Sequence, residues 1–435
     1  MNAPAALAST LAPPFSMVSK YFIASLFSFV LLCGVMVLSV PELQGHHFQP
    51  KLLALTHIAT LGWITMIIFG AMFQLVPVVL EVRLFSARLG EVQFWLYTVG
   101  TAGLVYGFWF FRVGAHLTAS AAIVTLAMLL FIINIVATMG RVKQWNLTGL
   151  FLLFSLVYLG ITAVAGLLLS INLGYPFISR IHLDYLKIHA HMGFIGWVAM
   201  VIMGVGLKLI PMFGLSHGFS TKPARAALVL VNVGLLGLSI EWLFTGAEWL
   251  LTSYVVILVL GLLAFIVQLV LILKHRMRRI FDLGMKHSVV AFSYFLLSII
   301  FGFVLAVVEI DDVKLREGLI LMYGGMIMLG FFSMLIVGQM YKIVPFLVWF
   351  HTFSDKVGKE PVPMLKDMFS EKVGNMQFWI LNAGIVLVLV GLGSSQSMVL
   401  TIGLTAMFIA SLMVAFNIAA VFRLRSRHGN KRIPA

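Results

Sequence analysis

Apolar residues fill most of the chain in long runs, and short polar segments separate the runs. Each run is close to the roughly 20 residues that an α-helix needs to cross a hydrocarbon core of about 30 Å. We therefore predict an all-α integral membrane protein with twelve spans, at residues 17–40, 51–80, 92–112, 116–139, 148–172, 186–213, 224–246, 250–273, 286–309, 317–348, 375–394 and 398–422. The spans form one predicted domain, 17–422, between a mobile N-terminal tail, 1–16, and a basic cytoplasmic tail, 423–435.

Composition and charge placement agree with this prediction. Hydrophobic residues make up 61% of the 435 residues and charged residues 10%, which is typical of membrane proteins. The net charge of +14 could indicate nucleic acid binding, but the basic residues lie mainly on one side of the predicted spans. With the N-terminus inside, all but six of the 29 Lys and Arg residues fall on the inner side; the six are Lys51, Arg112, Arg180, Lys187, Lys314 and Arg316. This asymmetry predicts that both termini are cytoplasmic, in a bacterial-type inner membrane, with the bilayer rather than nucleic acid as partner.

Three spans share one template. In spans 2 and 6 a histidine is followed by Gly-Trp at +5 and +6, Gly at +13 and Pro at +20: His57, Gly62, Trp63, Gly70 and Pro77, then His191, Gly196, Trp197, Gly204 and Pro211. Span 10 has Gly330, Gly338 and Pro345 in frame, but Gly325 stands at the histidine position. The equal spacing predicts three pseudo-symmetric arcs of four helices, at about 17–139, 148–273 and 286–422. The glycines indicate either close helix packing or room for a flat ligand.

The two template histidines are candidate metal ligands. An ionisable side chain inside a membrane is costly and indicates a functional site. His57 and His191 should lie at equivalent depth on neighbouring helices, where two neutral imidazoles facing one pocket suit a haem iron. The alternative is that each imidazole only hydrogen-bonds a carbonyl or a water at a helix end.

Other histidines have less defined roles. His189 lies two residues before His191, about 200° around the helix, so it faces another pocket. A second haem, a metal ion and an ordinary hydrogen bond all remain open for it. His46, His47 and His182 fall in outer segments, where solvated side chains are expected.

The His-x-His run of span 6, with its Gly-Trp, Gly and Pro, resembles the haem-binding helix of subunit I of haem-copper oxidases, in particular the C-type oxidase and nitric oxide reductase branch. In that family the second histidine of the run and a histidine of span 2 hold a low-spin haem, and the first histidine holds a high-spin haem. The resemblance implies that His57 and His191 are the axial ligands of a haem b and that His189 binds a second haem or metal. The acidic residues Glu309, Asp311, Asp312 and Glu317 on the predicted outer side are compatible with docking of an electron donor such as a cytochrome or a quinol, and also with an ordinary solvated loop.

The chain departs from the family at the copper site. Cys33 is the only cysteine, so a metal must use His, Met or carboxylate ligands, and span 7 has no histidine. We therefore predict haem iron without stoichiometric copper, with His46, His47, His182 and His189 as the ligands to examine if copper were found. Three functions remain: a membrane haem b redox protein, with or without oxidoreductase turnover; a haem-binding sensor or nitric oxide- or metal-handling protein without turnover; and a haem-free structural relative. No catalytic residue is assigned, and the sequence leaves the oligomeric state open.

Overall fold

The computed structural model describes residues 11, 13–178, 182–244 and 246–429. Twelve long helices dominate it: α1 (Phe15–Leu38), α2 (Pro50–Val79), α3 (Ala87–Trp109), α4 (Ala115–Met139), α5 (Leu147–Gly174), α6 (His182–Gly214), α7 (Lys222–Leu243), α8 (Glu248–Lys274), α9 (Leu283–Val307), α10 (Val313–Lys356), α11 (Glu371–Gly393) and α12 (Ser397–Gly429). Each coincides with one predicted span to within a few residues at most ends.

Eleven of these helices are long and apolar enough to cross a membrane. The exception is α3, which is 23 residues long but rich in glycine, threonine, tyrosine and tryptophan, and these lower its mean hydropathy. The protein is thus an all-α integral membrane protein. The count of twelve spans and the orientation of the termini stay predictions.

The outer faces of the helices carry large exposed apolar side chains, among them Phe27, Trp95, Trp249 and Trp379. Contiguous apolar surface of this kind is unfavourable in water and suits contact with lipid tails. It is the surface expected of a membrane protein.

The predicted tails are only partly within the described residues. Helix α1 begins at Phe15, while residues 1–10 and 12 of the predicted tail lie outside the described part. Helix α12 continues to Gly429, so the predicted basic tail begins as helix, and residues 430–435 lie outside the described part.

The helices form two compact units. The first contains the described residues up to Tyr21 together with Thr56–Arg279 and Ile299–Glu309. Within it, consecutive helices pack as neighbours, notably α3 with α4, α5 with α6 and α7 with α8. The second unit contains Phe22–Leu55, Ile280–Ser298 and the chain from Ile310, with α11 packed on α12. The prediction of one twelve-span domain remains untested.

The template of spans 2, 6 and 10 is also a repeat of backbone geometry. Each helix changes to π-helix for eight residues, at Ile58–Thr65, Met192–Ala199 and Met326–Ser333. Each π segment begins directly after the template position held by His57, His191 or Gly325. Such π-helical segments are rare in proteins overall, and those that occur are often found at functional sites. The same sequence frame therefore gives the same wide turn three times.

The template glycines of α6 pack against aromatic side chains of the preceding helix. A Cβ atom on Gly196 would lie 2.5 Å from Cγ of Tyr158, and one on Gly204 would lie 2.9 Å from Cβ of Phe151. Tyr158 and Phe151 are two turns apart on α5 and both are buried. Of the two interpretations of these glycines, the structure supports close packing.

Helix α10 repeats this arrangement within the second unit. A Cβ atom on Gly330 would lie 2.7 Å from the ring of Tyr294, and one on Gly338 would lie 2.5 Å from Cβ of His287. Tyr294 and His287 are again two turns apart, here on α9. The repeat thus extends to the helices that precede α6 and α10.

Candidate haem site

His57 is the last residue of the regular α-helical part of α2, directly before the π segment. Its imidazole is half-buried and stacks on Phe108 of α3, with ring centroids 4.8 Å apart and planes at 25°. The start of the π segment therefore places an imidazole against the neighbouring helix of the first unit.

His191 occupies the same template position on α6. Its Nδ1–H donates to the backbone carbonyl of Lys187, one turn earlier, at 2.7 Å. The edge of the ring meets Trp242 of α7, with centroids 4.9 Å apart at 60°. Backbone and indole together restrict the orientation of this imidazole.

His189 faces a different helix. Its Nδ1–H donates to the carbonyl of Thr162 on α5 at 3.0 Å. A Cβ atom on Gly166 would lie 2.8 Å from Cε1 of His189, so the ring rests where α5 has no side chain. His189 and His191 therefore contact different neighbours, as their separation around the helix predicts.

The donor atoms of α6 fit ligation of a haem iron. A carbonyl oxygen can only accept, so the hydrogen bonds from His189 and His191 place the proton on Nδ1 in the neutral rings. The lone pair is then on Nε2, which is the form that a metal-binding histidine requires, with Nδ1 oriented by a carbonyl. His189 and His191 therefore each make the hydrogen bond to a carbonyl that is the alternative to metal binding, and they make it through Nδ1. This bond is compatible with ligation of a metal through Nε2.

All three predicted ligands lie in the first unit. The pairing of His57 with His191, and a second ligand role for His189, stay predictions.

Buried polar and aromatic contacts connect the two π segments. The indole N–H of Trp197 on α6 donates to the hydroxyl of Thr65 on α2 at 3.1 Å, and both side chains are buried. The hydroxyl of Tyr97 donates to the carbonyl of Leu61 in the π segment of α2, at 3.2 Å. Phe69 packs between Tyr97 and Trp197. These contacts hold α2 and α6 together at their π segments.

The outer histidines are more engaged than the expectation of solvated side chains. His182 accepts a hydrogen bond from the Asn172 side chain at 3.1 Å. His46 and His47 stack on each other and lie beside Glu317. On the same loop, a hydrogen bond from the Lys51 ammonium lowers the pKa of the Glu42 carboxyl.

His287 is a buried histidine that the sequence did not single out. Its side chain is fully buried in the second unit, and Nδ1–H donates to the carbonyl of Leu283 at 2.9 Å. Its ring meets Phe378 of α11 edge-on, with centroids 4.8 Å apart.

A second internal repeat could have indicated this position. The sequence Gly-x-x-Gln-Phe-Trp occurs at 90–95 in α3 and at 374–379 in α11. In the first copy, the hydroxyl of Tyr21 lies within hydrogen-bond distance of the side chain of Gln93 and of the carbonyl of Gly90, and its ring meets Phe94 edge-on at 5.0 Å. His287 meets the equivalent phenylalanine of the second copy, so it occupies the position of Tyr21.

Comparison with known proteins shows the fold but no close relative. No protein family model matches the sequence, and no curated protein matches it. Among solved structures, the chain is similar to one from a cryo-electron microscopy structure of a heme-copper terminal oxidase dimer. The TM-score is 0.66 at 10% sequence identity, and the alignment covers 100% of this chain and 85% of the other.

The class of protein follows from these observations: a polytopic α-helical membrane protein built on a repeated helical template. More particularly, the chain has a haem-copper oxidase-like fold. This agrees with the resemblance read from the His-x-His helix.

Proposed function

We propose that this protein is a membrane haem b protein that takes part in electron transfer, with His57 and His191 as the axial ligands of the haem. The single observation that carries the proposal is the position of the two imidazoles, each directly before a π segment on the repeated helices of a haem-copper oxidase-like fold. Bound haem would supply one-electron redox chemistry.

The protein's own part in this function is to hold and orient the ligands. The carbonyl of Lys187 keeps the proton of His191 on Nδ1, which leaves Nε2 for iron. Phe108 and Trp242 restrict the rings of His57 and His191. The Trp197–Thr65 hydrogen bond fixes α6 against α2, so the two ligands keep their separation.

We do not propose a haem–copper centre. Helix α7 carries no histidine in its sequence, so the family's copper ligands have no counterpart there. Electron transfer within the membrane or to a partner fits this donor set better than oxygen reduction at copper. The outer-side donor, a cytochrome or a quinol, remains part of the proposal.

The test is the optical spectrum of the purified protein. Two imidazoles fill both axial positions, so a haem held by His57 and His191 should be six-coordinate and low-spin. The dithionite-reduced minus oxidised spectrum should therefore show low-spin haem b. His57→Ala and His191→Ala should each lose this signal. His189→Ala is the matched control because it removes an imidazole from the same helix but from another face.

The outcomes separate the alternatives. Low-spin haem that persists in His57→Ala would overturn the proposed pair. Loss in His57→Ala and His189→Ala, but not in His191→Ala, would indicate instead that His57 and His189 are the axial pair. Purified protein without haem after expression with adequate haem supply would favour the haem-free alternative. Haem without consumption of oxygen or nitric oxide, and without reduction by quinol or cytochrome, would favour the sensor.

A further inference from the structure

The outer end of the second unit contains a cluster of metal-binding side chains outside the candidate haem site. Nδ1 of His47 lies 2.8 Å from Oε2 of Glu317, and the backbone N–H of His47 donates to the same oxygen at 3.1 Å. Nε2 of His46 lies 3.8 Å from Oε1 of Glu317. The three donor atoms all lie within 4.8 Å of one another.

We propose that His46, His47 and Glu317 bind a divalent first-row transition cation such as Zn²⁺. Two imidazole nitrogens and one carboxylate oxygen suit such a cation, whereas Ca²⁺ and Mg²⁺ prefer oxygen ligands alone. Tetrahedral ligands about 2.0–2.2 Å from Zn²⁺ are about 3.3–3.6 Å from each other. The separations of 2.8 and 3.8 Å lie on either side of this range, so small side-chain rotations would complete the site.

The loop that carries the histidines is held in place by its own contacts. Lys51 pairs with Glu42, and the side-chain amide of Gln49 donates to the Glu42 carbonyl. The hydroxyl of Ser397, at the start of α12, donates to the side chain of Gln44 at 2.7 Å. The histidines therefore follow an anchored turn, and less conformational entropy is lost when a cation binds.

The carboxylate stands on a fixed helix. Asp312 caps α10, its side chain accepting from the N–H of Leu315 at 2.9 Å, and Glu317 follows within the next turn. A Cβ atom on Gly318 would lie 3.0 Å from the carbonyl of Leu392, so this turn of α10 packs closely on α11. The position of Glu317 is thus set by helix packing.

Cation binding requires two local exchanges of hydrogen bonds. The Glu317 carboxylate can only accept, so the 2.8 Å contact places the ring proton of His47 on Nδ1, and ligation through Nδ1 moves that proton to Nε2 and replaces this hydrogen bond. The N–H of Phe48 donates to Nδ1 of His46 at 3.0 Å, which places the ring proton on Nε2 in the neutral side chain. Ligation through Nε2 moves that proton to Nδ1 and releases the Phe48 amide. The contact is exposed, so water can replace it at small cost. The His46 side chain is 53% exposed, which gives a cation access from the outer side and leaves a coordination position for water.

Binding of Zn²⁺ and Co²⁺ to tag-free, full-length protein in detergent tests the proposal. After treatment with a chelator, titration calorimetry should show one Zn²⁺ per chain, and Co²⁺ should give the visible absorption of a four-coordinate site with nitrogen ligands. An excess of Ca²⁺ should not compete. Loss of a group that only hydrogen-bonds a metal ligand already costs about 10–100-fold in metal affinity, so loss of a ligand itself should cost at least as much.

The variants are His47→Ala and Glu317→Gln, with His116→Ala as the matched control because His116 is another exposed outer-side histidine. The first two should raise the Kd for Zn²⁺ at least tenfold and abolish the Co²⁺ band, and the control should change neither. Size-exclusion profiles and circular dichroism confirm that the variants are folded. Absence of stoichiometric Zn²⁺ binding, or unchanged binding in folded Glu317→Gln, overturns the proposal. The test is independent of whether the protein binds haem.

Discussion

Replacing Gly196 by alanine probes the close packing between α5 and α6. The added Cβ atom would lie 2.5 Å from Cγ, 2.7 Å from Cβ and 2.8 Å from Cδ1 of Tyr158. These atoms are at the base of the side chain, so rotation of the ring cannot remove the clash. The Tyr158 hydroxyl also donates to the side chain of Asn232 at 2.7 Å, and a shift of the ring would break this buried hydrogen bond.

The expected cost follows from two opposing effects. Overpacking of a core costs about 1–3 kcal/mol. Alanine gains at most about 1 kcal/mol over glycine in helix propensity. With the full propensity gain, we therefore expect a net loss of about 0–2 kcal/mol in the free energy of unfolding, which leaves the variant about 1–3 kcal/mol less stable than a glycine-to-alanine change at an uncrowded helix position.

Gly206→Ala is the matched control because it lies on the same helix and its Cβ atom would come no closer than 3.4 Å, to Ile210. It should be neutral or stabilise by up to about 1 kcal/mol. Unfolding by SDS in mixed micelles, followed by circular dichroism, measures the difference. Gly330→Ala should behave like Gly196→Ala, since Tyr294 takes the place of Tyr158 in the second unit. Equal stability of Gly196→Ala and Gly206→Ala would refute close packing and favour the flat-ligand interpretation of the template glycine.

Two further predictions concern the tie between the template helices and the topology. Thr65→Val should destabilise the protein by about 1–3 kcal/mol in the same SDS assay, because the buried indole N–H of Trp197 loses its acceptor. The control is Thr118→Val, which should be close to neutral because the Thr118 hydroxyl has no partner among the described residues. Equal effects of the two substitutions would contradict this role for Thr65. Reporter fusions after Arg279 should be active in the cytoplasm and fusions after Asp312 outside, because the basic loops favour the inner side; the reverse pattern would overturn the predicted orientation.

Particular elements show how far the sequence alone reaches. The long helices lie where the sequence predicts them, to within a few residues at most ends. A bilayer requires long apolar helices, and such runs are recognised from local composition alone. Helix α3 is also where expected, although its aromatic and small residues lower its mean hydropathy. The resemblance to haem-copper oxidases agreed with the fold because it depended on a repeat of several residue types at fixed spacing.

The side-chain environment of the histidines required the tertiary structure. Helical periodicity predicts that His189 and His191 point apart, but not that His189 rests on Gly166 and that His191 meets Trp242. These partners lie on α5 and α7, and helix packing decides which residues meet across helices.

The sequence by itself determined the membrane class, the helices and the threefold template, because each depends on local composition and periodicity. Only the tertiary structure decided that Gly196 and Gly330 pack against the rings of Tyr158 and Tyr294, and that His46 and His47 lie beside Glu317. His47 and Glu317 are 270 positions apart in the chain, and no local pattern records a contact between such distant residues. The π segments depend on both levels. They recur at one position of the sequence template, but the sequence did not predict their wider helical turn, which only the folded backbone shows.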